Sequence, residues 1–364
     1  MKLSNFKLKR IDWYIIKQFL GTFMFAMSGI ILIVVVFDVN EKIDKFMVPE
    51  VTLKEIIFDY YVNFVPYFLS MFASLFTFIA VIFFTSKLTD RSEIIAMLST
   101  GMSFDRLMVP YVISAGIIAI SMFTLSAYII PPANAKRLDF EYTYIKKNKK
   151  EYASNAQLEV EPGIFAYFDR YSDNSRMGYG FSLERFEGKK LVSRLTANSI
   201  KYDSLYNWTI IDYIIRDFDG MYERITPGTR RDTTLKFVPS DLLVSENYCE
   251  TMTSPELATY IARQKKRGIG NIQTFEIEYH KRFANTLSFF ILTVIGVSLS
   301  SYKKKGGMGL NIGIGLGLSF SYILFMTVTS SFAVSGLVSP MIASWIPNII
   351  YTFIAIYLYR KAPR

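Results

Sequence analysis

The sequence predicts an α-helical polytopic membrane protein, with six transmembrane helices and an inserted antiparallel β-domain of β-jellyroll-like type. Three observations lead there. Apolar residues make up 51% of the 364 positions and gather in runs near the roughly 20 residues that a helix needs to cross the hydrocarbon layer. Charged residues still supply 20% and concentrate in the middle of the chain, which calls for one water-facing unit. That middle region alternates apolar and polar residues between turn signals, the pattern of strands.

In chain order, the basic start MKLSNFKLKR leads into a first span from about Trp13 to Phe37. Its apolar run is longer than a signal-peptide core and lacks a small-residue cleavage site, so it is expected to be retained. A second span follows from about Ile56 to Phe84 and a third from about Leu107 to Ile130, ended by Pro131 and Pro132. After the polar middle come spans from about Phe283 to Ser300, Leu310 to Phe332 and Met341 to Tyr359. The expected domains are 1–131, 132–275 and 276–364.

Lys and Arg in the short connections set orientation. The N-terminus, the Ser86–Arg106 connection, the turn at Lys303–Lys305 and the C-terminal YRKAPR all fall on one side if the spans alternate, while SFAVSGLVSP carries no charge. Both termini are therefore expected in the cytoplasm and the middle region outside. There GIFAYFDRY, GYGFSLERF, LVSRLTANSIKYD and WTIIDYIIRDF read as strands broken by DNS, EGKK, FDG and TPGT, in a sandwich, a jelly roll or an open half-barrel. SPELATYIARQKKRG then predicts a short return helix, with Ser254 as N-cap, Pro255 at the first position and Gly268 as stop.

Composition also excludes functions. The net charge of +10 is of the kind that residues flanking membrane spans produce and is not gathered on a nucleic-acid-binding module, so no nucleic-acid partner is expected. A single cysteine, Cys249, forbids an internal disulfide or a CxxC site, and the single histidine, His280, forbids a histidine-pair metal centre. No catalytic or metal site is predicted, and His280 suits an interfacial girdle beside the fourth span. FEGKKL lacks the glycine and hydroxyl of a phosphate-binding loop, so any ATP would be used by another chain. Ionisable residues are scarce inside the spans, which argues against a proton or sodium relay.

Three constellations remain. LTDRSEIIAMLSTGMS joins the second and third spans; Asp90 and Glu93 are spaced as a capping box, Arg91 adds charge, Ile94, Met97 and Leu98 give an apolar side, and Gly101 is a C-cap. The apolar side of this short helix either lies in lipid or fills a groove on a soluble partner. The glycine series GGMGLNIGIGLGLSF suits close helix packing. Lys42, Lys45, Lys136, Arg137, Lys281 and Arg282 sit at the outer boundary, either as ordinary anchors or as a ring that receives lipid phosphates.

These features resemble the LptF/LptG (YjgP/YjgQ) permeases of the lipopolysaccharide export ABC transporter. The resemblance rests on DRSEIIAMLSTGMS, on EYHKRFANTLSFFILTVIGVSLSSYKKKGGMGLNIGIGLGLSF and on ASWIPNIIYTFIAIYLYR, in that order. It implies a second LptF/LptG-like subunit, an LptB-like cytoplasmic ATPase, an LptC-like bridge and lipopolysaccharide as cargo, at the bacterial inner membrane with the β-domain in the periplasm. It also implies that the helix near Glu93 is the coupling helix docked on the ATPase. Acyl chains would enter the β-domain interior near Ile164, Phe165, Tyr167 and Phe181, although each of these residues equally suits an ordinary core. Two departures stand out. Some members carry a lysine in the outer half of the first span, whereas IILIVVVFD is apolar until Asp38, which shifts any phosphate contact to Lys42, Lys45 or the residues after the third span. The proline common early in the fourth span is missing from RFANTLSFF. The rival readings are an ion-coupled secondary transporter and a membrane-anchored β-domain receptor.

Overall fold

The computed structural model describes residues 8–49, 51–145, 152–172, 175–188, 190–239, 248–266, 272–302 and 307–362. The basic turn Lys303–Lys305, the helix stop at Gly268 and the first part of MKLSNFKLKR lie outside the described residues. Contacts divide the chain into a helical unit, Met1–Ile145 with Glu276–Arg364, and an inserted unit, Lys146–Phe275.

The helical unit contains α1 (Arg10–Phe46), α2 (Leu53–Asp90), the short α3 (Glu93–Ser99) and α4 (Phe104–Ile145). After the inserted unit come α6 (Gln273–Ser300), α7 (Gly307–Val334) and α8 (Pro340–Lys361). All but α3 are long and apolar enough to cross a membrane. Helices α1 and α4 extend past their apolar runs, and there Asp38, Lys42, Arg137 and Glu141 form ion pairs.

The third span differs most from expectation. Its helix does not stop at Pro131 and Pro132 but continues to Ile145, so the inserted unit starts later than residue 132. A proline lacks an amide hydrogen and crowds the carbonyl one turn back. The turn before the pair widens into a π-turn at Leu125–Ile129, which lets the helix pass without breaking.

Close packing organises the bundle around Phe19, Phe78, Tyr111, Leu292 and Ile295, all buried. The helix α6 runs through its centre, with 67% of its most apolar window buried against 17% for α1. Polar ties cross the interior, where each group must find its partner within the protein. Asn348 Nδ2 donates to the Ala284 carbonyl at 2.7 Å and Tyr322 OH donates to Asn348 Oδ1 at 2.9 Å. Thr89 Oγ1 donates to the Ser300 carbonyl at 2.6 Å.

The inserted unit carries one antiparallel sheet in the order β1-β2-β3-β4-β5-β6, a meander whose strand order the sequence left open. The strands are β1 (Tyr152–Glu161), β2 (Ile164–Ser172), β3 (Met177–Glu187), β4 (Lys190–Ser204), β5 (Asn207–Asp219) and β6 (Tyr222–Thr234). One face forms a core around Phe168, Phe181, Ile200, Trp208 and Phe237. Along β5 the alternation changes phase at Asp212, whose φ of 51° lets Ile210 and Tyr213 both join that core.

The return helix α5 spans Ser254–Lys266. Its cap is Thr253 rather than Ser254: the Thr253 N–H donates to Glu256 Oε2 at 2.9 Å, the reciprocal half of a capping box. The backbone and hydroxyl of Thr253 hold the Glu256 carboxyl below its ordinary value of 4.5. A depressed carboxylate stabilises above that ordinary value and loses its contribution as pH falls through the folded one. Acidification below about 4.5 is therefore expected to fray the first turn of α5. Amide exchange, corrected for intrinsic rates, should rise there in the wild type, and Glu256→Gln should remove the pH dependence.

Candidate functional site

At the end of the bundle that carries the termini, α3 sits between the long helices α2 and α4. Its start differs from the expected capping box. Asp90 is the last residue of α2, Ser92 occupies the N-cap at a φ of 59° without a side-chain bond, and Glu93 opens the helix. The reason is that α2 continues six residues past its apolar run, which places Asp90 inside it. The stop is a Schellman turn: Gly101, at a φ of 88°, donates to the Leu98 carbonyl at 3.0 Å, and Met102 donates to the Met97 carbonyl at 3.3 Å.

The apolar side of α3 does not face outward. Ile94 is fully buried, and Met97 and Leu98 pack into the same core as Phe104 and Leu107. The face that remains available is made by Arg91, Ser92, Ile95, Ala96 and Ser99, with Glu93 at its edge, 3.9 Å from Arg91. A partner would therefore meet a small, mixed patch on a helix anchored from behind.

At the opposite end of the helices, the six basic residues divide into two sets. Lys45, Lys136 and Lys281 are exposed. Lys42, Arg137 and Arg282 are committed to internal pairs. Arg282 Nε donates to Glu278 Oε1 at 2.9 Å. Lys42 and Arg137 belong to one buried cluster, with Lys42 Nζ 2.6 Å from Asp38 and 3.7 Å from Glu141, and Arg137 3.4 Å from Glu141. Tyr61 OH donates to Asp38 at 3.1 Å, Tyr60 OH donates to it at 3.2 Å, and Lys42 also bonds the Tyr60 hydroxyl. Arg137 Nε donates to Asn134 Oδ1 at 2.9 Å while its guanidinium lies 4.8 Å from the Tyr67 ring centre. The structure thus separates the six basic residues into three exposed lysines and three residues held in ion pairs. Asp38, Tyr60 and Glu141 were not among the predicted site residues, and the only signal for them was an acidic residue directly following an apolar run.

In the β unit, the four residues expected along an acyl path do not share one face. Phe181 pairs with Phe168 on the core side, their rings 5.0 Å apart. Ile164 has the same parity as Ala166 and Phe168, whereas Phe165 and Tyr167 point to the other face, where Phe165 meets Phe186 at 5.7 Å. The core-side residues of β2 are Ala166, Phe168 and Tyr171. Among the described residues, no three His, Cys, Asp or Glu side chains gather where they could hold a metal ion.

Six helices long and apolar enough to cross a membrane, with a β unit inserted in the chain between the third and the fourth, define a multi-pass membrane protein. The chain belongs to the lipopolysaccharide export system permease LptF/LptG family, whose model matches residues 13–361. Its family role is that of a lipopolysaccharide export permease, a transporter component rather than an enzyme. None of the curated proteins is similar enough in sequence to match it.

Proposed function

We propose that this chain is one transmembrane half of an ABC transporter that extracts lipopolysaccharide from the inner membrane and passes it to a periplasmic bridge. A second LptF/LptG-like subunit completes the membrane portion, an LptB-like ATPase binds and hydrolyses ATP on the cytoplasmic side, and an LptC-like protein continues the bridge. The chain itself binds no cofactor. Both termini and α3 lie in the cytoplasm and the β unit in the periplasm, in keeping with the basic short connections. The observation that carries this reading is α3, a helix held from behind by Ile94 and closed by Gly101, with Arg91, Glu93 and Ile95 left at its outward edge. Such a patch suits docking on a soluble protein better than immersion in lipid.

The test is co-purification of the ATPase with the detergent-solubilised complex. Glu93→Ala removes one charge-assisted contact, worth about 1.5–3 kcal/mol and so roughly tenfold or more in retained ATPase. Unchanged retention and unchanged export would overturn the docking role. Photocrosslinkers at Lys45, Lys136 and Lys281 are expected to capture lipopolysaccharide in membranes, and capture confined to the outward back of α7 would overturn their part in cargo binding.

A further inference from the structure

We propose that Arg106 is the joint through which movement of α3 reaches the first membrane helix. The inference rests on the reading of α3 as the element on which the ATPase acts. Arg106 lies in the first turn of α4, and its guanidinium grips Asp12 of α1 with both ends of the fork, Nη1 to Oδ1 at 2.9 Å and Nη2 to Oδ2 at 2.5 Å. The Asp12 side chain is only 2% exposed and that of Arg106 23%, so the contact is largely shielded from solvent on the aspartate side.

The segment between α3 and Arg106 contains no slack. Met102 and Gly101 close the Schellman turn onto Met97 and Leu98. Ser103 then caps α4, accepting from the Arg106 N–H through its carbonyl at 3.0 Å and through Oγ at 3.3 Å. On the other side of the same turn, Tyr359 OH of α8 donates to Asp105 at 2.5 Å, and its ring lies 5.6 Å from that of Phe104. A displacement of α3 is thus delivered to residues 104–106 as a rigid turn. From there it reaches α1 through the two-pronged contact and α8 through Tyr359.

The geometry of the pair suits transmission. A bidentate fork fixes relative position and plane, which one ammonium contact does not. A buried ion pair is by itself weak as a source of stability, so its value lies in holding one register between two helices. At its far end α1 is tied to α2 and α4 by Lys42 and Asp38, so a shift at Asp12 moves α1 as a rod anchored at both ends.

The experiment uses the full complex with its ATPase in proteoliposomes. Arg106→Gln breaks the fork but leaves the Lys9 N–H bond to Asp12 that caps α1. The expected result is retained ATPase and continued ATP turnover, with lipopolysaccharide exported per ATP reduced about tenfold, within the usual range of coupling between sites. A spin label at Glu41→Cys, in a Cys249→Ala background, should report a nucleotide-dependent change in α1 that disappears with Arg106→Gln. If that variant does not accumulate, Arg106→Lys, which keeps the charge and loses the second prong, takes its place in both measurements. Export and hydrolysis that fall in equal proportion, or a label that still responds, would overturn the joint. Absence of any ATPase from the wild-type complex would overturn the transporter reading itself.

Discussion

Replacing Lys42 by methionine is expected to destabilise the helical unit by about 3–5 kcal/mol, the cost of leaving a buried charge without its partner. Lys42 is the cation between two carboxylates, 2.6 Å from Asp38 on its own helix and 3.7 Å from Glu141 on α4, with side-chain exposures of 16%, 10% and 9%. Methionine removes the ammonium that lies over the Tyr60 and Phe64 rings and takes one cation away from Asp38 and Glu141, while Arg137 stays beside Glu141. The loss should appear as unfolding at lower denaturing-detergent fraction. Lys42→Met combined with Glu141→Gln should recover much of it, because the charges then balance again between Asp38 and Arg137. A Lys42→Met protein as stable as the wild type would mean that the network contributes little, and would return Lys42 to the pool of residues free to meet lipid phosphate.

The same network shows how far the sequence could be read. The six spans are legible because hydrocarbon thickness sets a length and the apolar runs meet it. Their ends are not, because Arg137 and Glu141 look like a polar loop until Glu141 meets Lys42 of α1 and Arg137 lies against the Tyr67 ring of α2. Lys42 and Glu141 are far apart in sequence, and no local pattern brings them together. Charge sign is legible and partnership is not, which is why six basic residues looked like one ring. The β-domain repeats the lesson. Alternation identifies strands, but it gives two faces without saying which is inside, and a phase change such as that at Asp212 moves the later residues to the other face. For α3 the spacing of Asp90 and Glu93 fitted a capping box, but tertiary packing carried α2 through Asp90 and put the turn at Ser92.

The glycines give the second large prediction. The series Gly306–Phe320 drew attention as a packing motif, yet Gly309, Gly313 and Gly317 have nothing within 4 Å of where a Cβ would stand. At Gly315 a methyl would meet only the flexible tip of Ile82, which can turn aside. At Gly296 on α6, by contrast, a Cβ would overlap Val81 Cγ1 and press on the Phe78 ring at 3.2 and 3.3 Å. Val81 is fully buried, β-branched and stiff at χ1, so turning its side chain aside is costly. Gly296→Ala is therefore expected to cost about 1–3 kcal/mol by overpacking, and Gly296→Val more. Val81→Ala in the same chain should return most of the Gly296→Ala loss, since it removes the atom that clashes. Alanine at Gly309, Gly313 or Gly317 should leave the fold intact, with helix propensity favouring it by up to about 1 kcal/mol. Should those three substitutions instead weaken association with another membrane subunit while sparing stability, the outward glycine face of α7 would be identified as a contact that Gly296 is not.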